Sequence, residues 1–192
     1  MRHLRLVLVV LVGALALSSC SLVVPNNAPN PIASSKVPFG LLNKTIPGTN
    51  HARVRFITQP VFIVDVTGHL APSSRIVPSP PALGTVIEQL LLGPSAIEKS
   101  AGYSSALPRT MVLVSAKVRH EVGYLNFASS LDALSKRKQL LAIGQLVLTG
   151  ADAGAEKGIV IKVAGVTQHL LLPSGQRTEV ATEGDFESLL NS

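Results

Sequence analysis

The chain reads as an α+β protein: a single compact domain with two main helices packed on a small mixed or antiparallel sheet. Three observations predict it. Short β-branched or alternating runs occur in pairs joined by turn residues, two longer segments carry a helical apolar period, and the order is strand, strand, helix, strand, strand, helix, strand, strand. Helices that alternate with strand pairs place their apolar faces on one side of a sheet.

Val61 to Val66 is the first apolar run and Arg75 to Val77 the second, with Gly68 between them as a hairpin signal. Ser79 is placed to cap a helix whose first turn holds Pro80 and Pro81, where missing amide donors do no harm. Leu83, Val86, Ile87, Leu90 and Leu91 then fall on one helical face, and Gly93-Pro94 ends the helix. A stretch rich in Ser, Gly and Ala reads as irregular. Met111 to Arg119 alternates, which predicts a half-buried strand with Val112, Val114, Ala116 and Val118 on one face and Ser115, Lys117 and Arg119 on the other. His120-Glu121 turns it into Val122 to Phe127. From Ser135 a second helix carries Leu140, Leu141, Ile143, Gly144, Leu146, Val147 and Leu148, apolar over most of its circumference and therefore largely buried. Gly158 leads into Ile159 to Val163, Gly165 turns the chain back through His169 to Leu172, and a short helix around Phe186 to Leu190 closes the domain.

Ahead of the domain stands a different kind of sequence. Arg2 and Arg5 precede the apolar run Leu6 to Leu17, the grammar of an export signal. As a helix this run would span roughly 18 Å, short of a hydrocarbon core of about 30 Å. Leu17-Ser18-Ser19-Cys20 resembles the lipobox of bacterial lipoproteins, in which the cysteine is lipidated and becomes the first residue. Cys20, the only cysteine, is thus the expected lipidation site, which places the domain outside the cytoplasm and ties it to the membrane. Ala14-Leu15-Ala16 offers a rival cleavage site that would release a soluble protein. Pro25, Pro29, Pro31, Pro38 and Pro47, scattered among Asn and Ser, then mark a tether without a core. The expected organisation is residues 1–19 as signal peptide, 20–50 as lipidated cysteine and tether, and 51–192 as one domain.

Composition narrows the functional classes. Hydrophobic residues make up 46% and charged residues 15%, so stability rests on a core; a lone cysteine permits no intrachain disulfide. The formal charge of +6 falls to +4 once Arg2 and Arg5 are removed. An exported chain with 4% aromatics and no Trp offers few stacking platforms for nucleic acid, which is excluded as the expected partner. Teichoic acids, anionic headgroups or an acidic protein surface suit the modest positive excess better.

From about Val61 onward the chain carries Arg75, Leu90-Leu91-Leu92-Gly93-Pro94, Ala106-Leu107-Pro108, Gln145-Leu146-Val147-Leu148-Thr149 and Val163-Ala164-Gly165. In these residues it resembles the GerMN domain of spore-formation and germination proteins, also found in bacterial envelope lipoproteins. Leu125-Asn126-Phe127 stands where the family commonly has Val-Asp-Leu, and Ala164-Gly165 where it often has Asp-Gly. The resemblance implies a fold similar to ring-building motifs of envelope complexes, and assembly rather than catalysis.

A search for chemistry among the residues agrees. Asp65, His69 and Ser73 lie close in sequence, yet all sit around one hairpin and no Gly-x-Ser-x-Gly elbow exists to expose a nucleophile. His51, His69, His120 and His169 are far apart and lack companions at metal spacing. Glu183, Asp185 and Glu187 suit a helix start, and Gly154 with Gly158 lacks a phosphate-binding fingerprint. Lys136-Arg137-Lys138 is the densest cationic cluster, read as a solvated turn. No catalytic, cofactor-binding or metal residue is expected. The expected function is a non-catalytic interaction module held to the membrane through Cys20, with an envelope protein as partner. The alternative is a ligand-binding accessory lipoprotein serving a transporter or cell-wall enzyme. A flat exposed edge favours the first and a deep apolar pocket the second.

Overall fold

A computed structural model describes residues 54–190. The expected signal peptide, Cys20, the tether and His51 lie outside the described residues. The domain begins with a hairpin, β1 (Phe56–Val64) and β2 (Leu70–Pro78), paired antiparallel from Phe56 opposite Pro78 to Val64 opposite Leu70. Helix α1 (Leu83–Leu91) and a short helix α2 (Ala96–Ser100) follow. Next come the hairpin β3 (Leu113–Arg119) and β4 (Val122–Phe127), the long helix α3 (Lys136–Asp152), and strands β5 (Gly158–Val163) and β6 (Val166–Thr167). A miniature pair, β7 (Leu170–Leu171) with β8 (Arg177–Thr178), and a 3-10 helix (Glu183–Leu189) complete it.

The α+β class holds, with the strands divided among three sheets. The central sheet has the order β3-β4-β5-β6 and is mixed, because β4 and β5 run parallel while its other pairs are antiparallel. A parallel pair needs a crossover, and α3 supplies it. Residues Leu141 to Ala151 of α3 are all buried, as the apolar circumference predicts. The core joins Val61, Ile63 and Leu70 of the first hairpin to Leu83, Val86, Ile87 and Leu90 of α1, Leu125 and Phe127 of β4, and Ile159 and Ile161 of β5. At Gly144 a Cβ would come within 2.7 Å of Leu70 and 3.0 Å of Phe186, so the absent side chain lets α3 approach both.

Three local expectations change. Ser79 does not cap α1: its N–H donates to the Arg55 carbonyl at 2.8 Å, continuing the hairpin, and the helix starts later with Ala82 as its extended N-cap. The strand Met111 to Arg119 is not half-buried through its valines. A register shift between Leu113 and Ser115 breaks the alternation, so Leu113 and Ala116 pack inward while Val112 and Val114 stay 58% and 60% exposed; Val118 follows Ala116 on the inner face but lies at the strand's end and is 41% exposed. The segment after Gly93 is not wholly irregular, since Ser95 and Glu98 close a capping box that starts α2. Gly93 itself has φ +73, the left-handed exit expected of a helix-ending glycine.

Candidate functional site

The residues that could be drawn into catalysis are occupied in holding the fold. Asp65 Oδ1 accepts from the Thr67 N–H at 2.8 Å, the Thr67 hydroxyl at 2.7 Å and the His69 N–H at 3.0 Å, which closes the β1–β2 turn. These bonds, that from the Thr67 hydroxyl foremost, hold the Asp65 carboxyl below its usual range. The Ser73 hydroxyl instead donates to Glu98 and accepts from Arg75 at 2.7 Å. Asp65, His69 and Ser73 therefore make no triad: His69 Nδ1 lies 2.9 Å from the Thr67 hydroxyl, and Ser73 belongs to a different network.

That network straps β2 to the helical segment. Both terminal guanidinium nitrogens of Arg75 donate to the Glu98 carboxylate at 3.0 Å, and one also donates to the Gly93 carbonyl at 3.3 Å. Burial pushes the Glu98 carboxyl up, but bonds from Arg75, Ser73 and Ser95 outweigh it and hold the group at about 2. Arg75 and the Leu-Leu-Gly-Pro step thus meet physically.

Two polar side chains of α3, Gln145 and Thr149, stand in a segment that carries the family likeness, and the structure shows what they do. Gln145, fully buried, accepts from the Ala106 N–H and donates to the Phe62 carbonyl, both at 2.8 Å. Thr149, one turn on, accepts from the Phe62 N–H at 2.9 Å. Phe62 lies opposite Pro72, which has no N–H to offer, and its own amide and carbonyl point away from β2. Helix side chains thereby satisfy both groups on the outer edge of β1. The Gln-Leu-Val-Leu-Thr segment is a stitch, spaced so that Gln and Thr fall on the same helical face.

The remaining motif residues are structural as well. Asn126 Oδ1 accepts from the Gly165 N–H at 2.9 Å, an acceptor role that needs no carboxylate, and Ala164 enters the turn at φ 49. Arg137 of the Lys136-Arg137-Lys138 cluster donates to the Gly68 carbonyl at 3.2 Å. Asp185 accepts from the Thr182 amide and hydroxyl, each at 2.8 Å, as the cap of the final 3-10 helix. Glu183 and Glu187 stay exposed on that helix, and Gly154 (φ +94) and Gly158 (φ +123) take left-handed turn positions around α3's end and the start of β5. His120 and Glu121 form the β3–β4 turn at φ 50 and 66, and His169 stands exposed 3.9 Å from Glu179. Among the described residues no group of His, Cys, Asp or Glu is arranged to hold a metal ion.

What the fold leaves uncovered is the far side of the central sheet. Leu125, Phe127, Ile159 and Ile161 point to the helices; Ser115, Lys117, Arg119, Tyr124, Asn126 and Lys162 line an open depression of about 390 Å³ on the opposite side. Lys162 Nζ lies 5.8 Å from the Tyr124 ring centroid, over its face. Strand β3 is the sheet's edge, and the exposed Val112, Val114 and Val118 lie on and beside it. A second depression of about 370 Å³ lies beside His69, Lys136, Arg137 and Leu140. Glu121 at the end of the β3–β4 hairpin is ion-paired with Lys157, which raises the Lys157 ammonium.

Comparison with known proteins agrees with this architecture. A structure of the tandem GerMN domains of the sporulation protein GerM from Bacillus subtilis matches with a TM-score of 0.53 and 11% identity, over 68% of this chain and 48% of that one. The first GerMN domain of the same protein matches with a TM-score of 0.51 and 12% identity, over 67% of this chain and 98% of that one. This chain thus spans about half the length of the tandem structure, and at such identity the likeness concerns the fold. None of the curated proteins matches the sequence. The family model described as Germane, sporulation and spore germination, matches residues 60–169, which hold most of the first hairpin, the whole of the second, the Arg75–Glu98 strap and the whole of α3. With more than half of its residues matched, the chain belongs to the Germane family of sporulation and spore germination.

Proposed function

We propose that this protein is a non-catalytic interaction module of the cell envelope, anchored outside the cytoplasm by a lipid on Cys20 and acting in an assembly of the sporulation and germination type. The observation that carries this reading is the exposed edge of the central sheet, with Val112, Val114 and Val118 in solvent beside a basic, open face. Exposed valines along a strand edge are what a docking surface offers, whereas a captured small molecule calls for an enclosed apolar pocket. The side chains nearest to a catalytic arrangement are spent on a turn and a strap, which supports a role without chemistry. Membership of a family tied to sporulation and germination supports the setting.

Two measurements test it. Cys20→Ala is expected to move the protein out of the membrane fraction, and retention there would remove the lipid anchor from the reading. Crosslinking on intact membranes is expected to recover a protein partner. A co-purifying small ligand with no protein partner would favour the accessory-lipoprotein reading, for which the depression beside Lys136, Arg137 and Leu140 is the available site.

A further inference from the structure

Taking the interaction-module reading as its basis, we propose that strand β3 and the basic sheet face beside it receive an extended acidic segment of another protein, which pairs with β3 as an added strand. Position in the sheet supplies the first half. β3 is terminal in the order β3-β4-β5-β6, and after its register shift it runs regularly from Ser115 to Arg119, about 17 Å of edge. Chemistry supplies the second. Lys117 and Arg119 alternate on the open face, and Lys162, two strands away, shares the same depression. A strand laid along β3 would set its own alternate side chains beside Lys117 and Arg119, where carboxylates are favoured, and the intervening ones beside Ala116 and the exposed Val118. The segment that fits alternates acidic and apolar residues.

Charge also decides between occupants. The chain's own residues 1–53 contain no Asp or Glu, so that stretch cannot supply the carboxylates. A second copy pairing β3 with β3 would bring Lys117 and Arg119 of the two chains together, like charge against like. Edge lysines and bulges are also the devices by which sheets avoid self-pairing, so the same residues that repel a copy select an acidic strand.

The test uses the full-length chain in neutral detergent and a labelled peptide, Thr-Val-Glu-Val-Glu-Val-Thr, with a control peptide carrying Lys in place of Glu. The Glu peptide is expected to bind, with affinity falling as salt rises, and to slow amide hydrogen exchange across Ser115 to Arg119. Lys117→Glu combined with Arg119→Glu is expected to weaken binding of the Glu peptide by about tenfold or more and to reverse the preference toward the Lys peptide. A change of fold alone produces no such reversal. Absence of peptide binding would overturn the proposal, as would binding that leaves β3 amides unprotected, binding of phosphatidylglycerol vesicles but not the peptide, or a self-dimer joined through β3. A crosslinked partner recovered equally with the charge-reversed variant would sink this proposal while leaving the interaction-module reading intact; loss of every crosslinked partner from the unaltered protein would sink that reading instead.

Discussion

The outer edges of β1 and β3 face the same physical problem and meet it differently. At Phe62 of β1, backbone N–H and C=O groups that cannot pair with β2 are taken by Thr149 and Gln145 of α3, and Gln59 reaches from the same strand to the Asp152 carbonyl at 2.7 Å. Further along, Val64 exchanges backbone bonds with Ser104 at 2.9 and 2.7 Å. This edge is closed by side chains and loop backbone. β3 has β4 on one side and the sheet's margin on the other, guarded by a bulge and by Lys117 and Arg119. A sealed edge serves stability; a bulged edge carrying like charges disfavours pairing with its own copy.

The largest effect is expected where the seal is cut. Gln145→Leu keeps the bulk but leaves the part-buried Phe62 carbonyl and Ala106 amide without their partner, a loss of about 2–3 kcal/mol by urea unfolding. A loss below about 1 kcal/mol would mean that the seal contributes little. Next comes the strap beside it. Glu98 is held at about 2 against an ordinary value near 4.5, a shift worth about 3 kcal/mol that the 18% exposure of the side chain trims to about 2. Its folded value is depressed, so the contribution is complete above 4.5 and disappears as pH falls toward 2. Glu98→Gln should therefore be less stable than the parent at pH 7, with the two unfolding curves converging near pH 2; a constant gap would assign the effect to packing. Thr149→Val removes one acceptor from the Phe62 N–H at nearly constant shape, with an expected cost of about 1–2 kcal/mol and faster exchange of that amide. The smallest effect belongs to the open edge: Val114→Thr should change stability by no more than about 0.5 kcal/mol, since the side chain is already 60% exposed.

Much of this contrast was legible in the sequence, and the part that was not has a common cause. Apolar periodicity located α1 and α3 because burial there follows one side-chain repeat, and Gly93-Pro94 marked a true helix end. Alternation misled only at the start of β3, where one extra residue between Leu113 and Ser115 turns Val112 and Val114 out of the face that Ala116 shares, without leaving a trace in residue type. α2 could have been found, since Ser95 and Glu98 stand at capping-box spacing. Gln145 and Thr149 stood in a likeness-carrying segment with no role attached, and only the position of Phe62, far away in sequence, explains them. The open basic face was present as the polar half of an alternating strand, but its third cation, Lys162, comes from β5 by way of parallel pairing that no local pattern announces.

The stitch between β1 and α3 also sets an order on the growing chain. Phe62 waits for partners 83 and 87 residues downstream, so a chain that stops short of Gln145 lacks both side chains that close this edge of β1. On the ribosome β1 always precedes α3, so that edge has neither of these partners until α3 has been made.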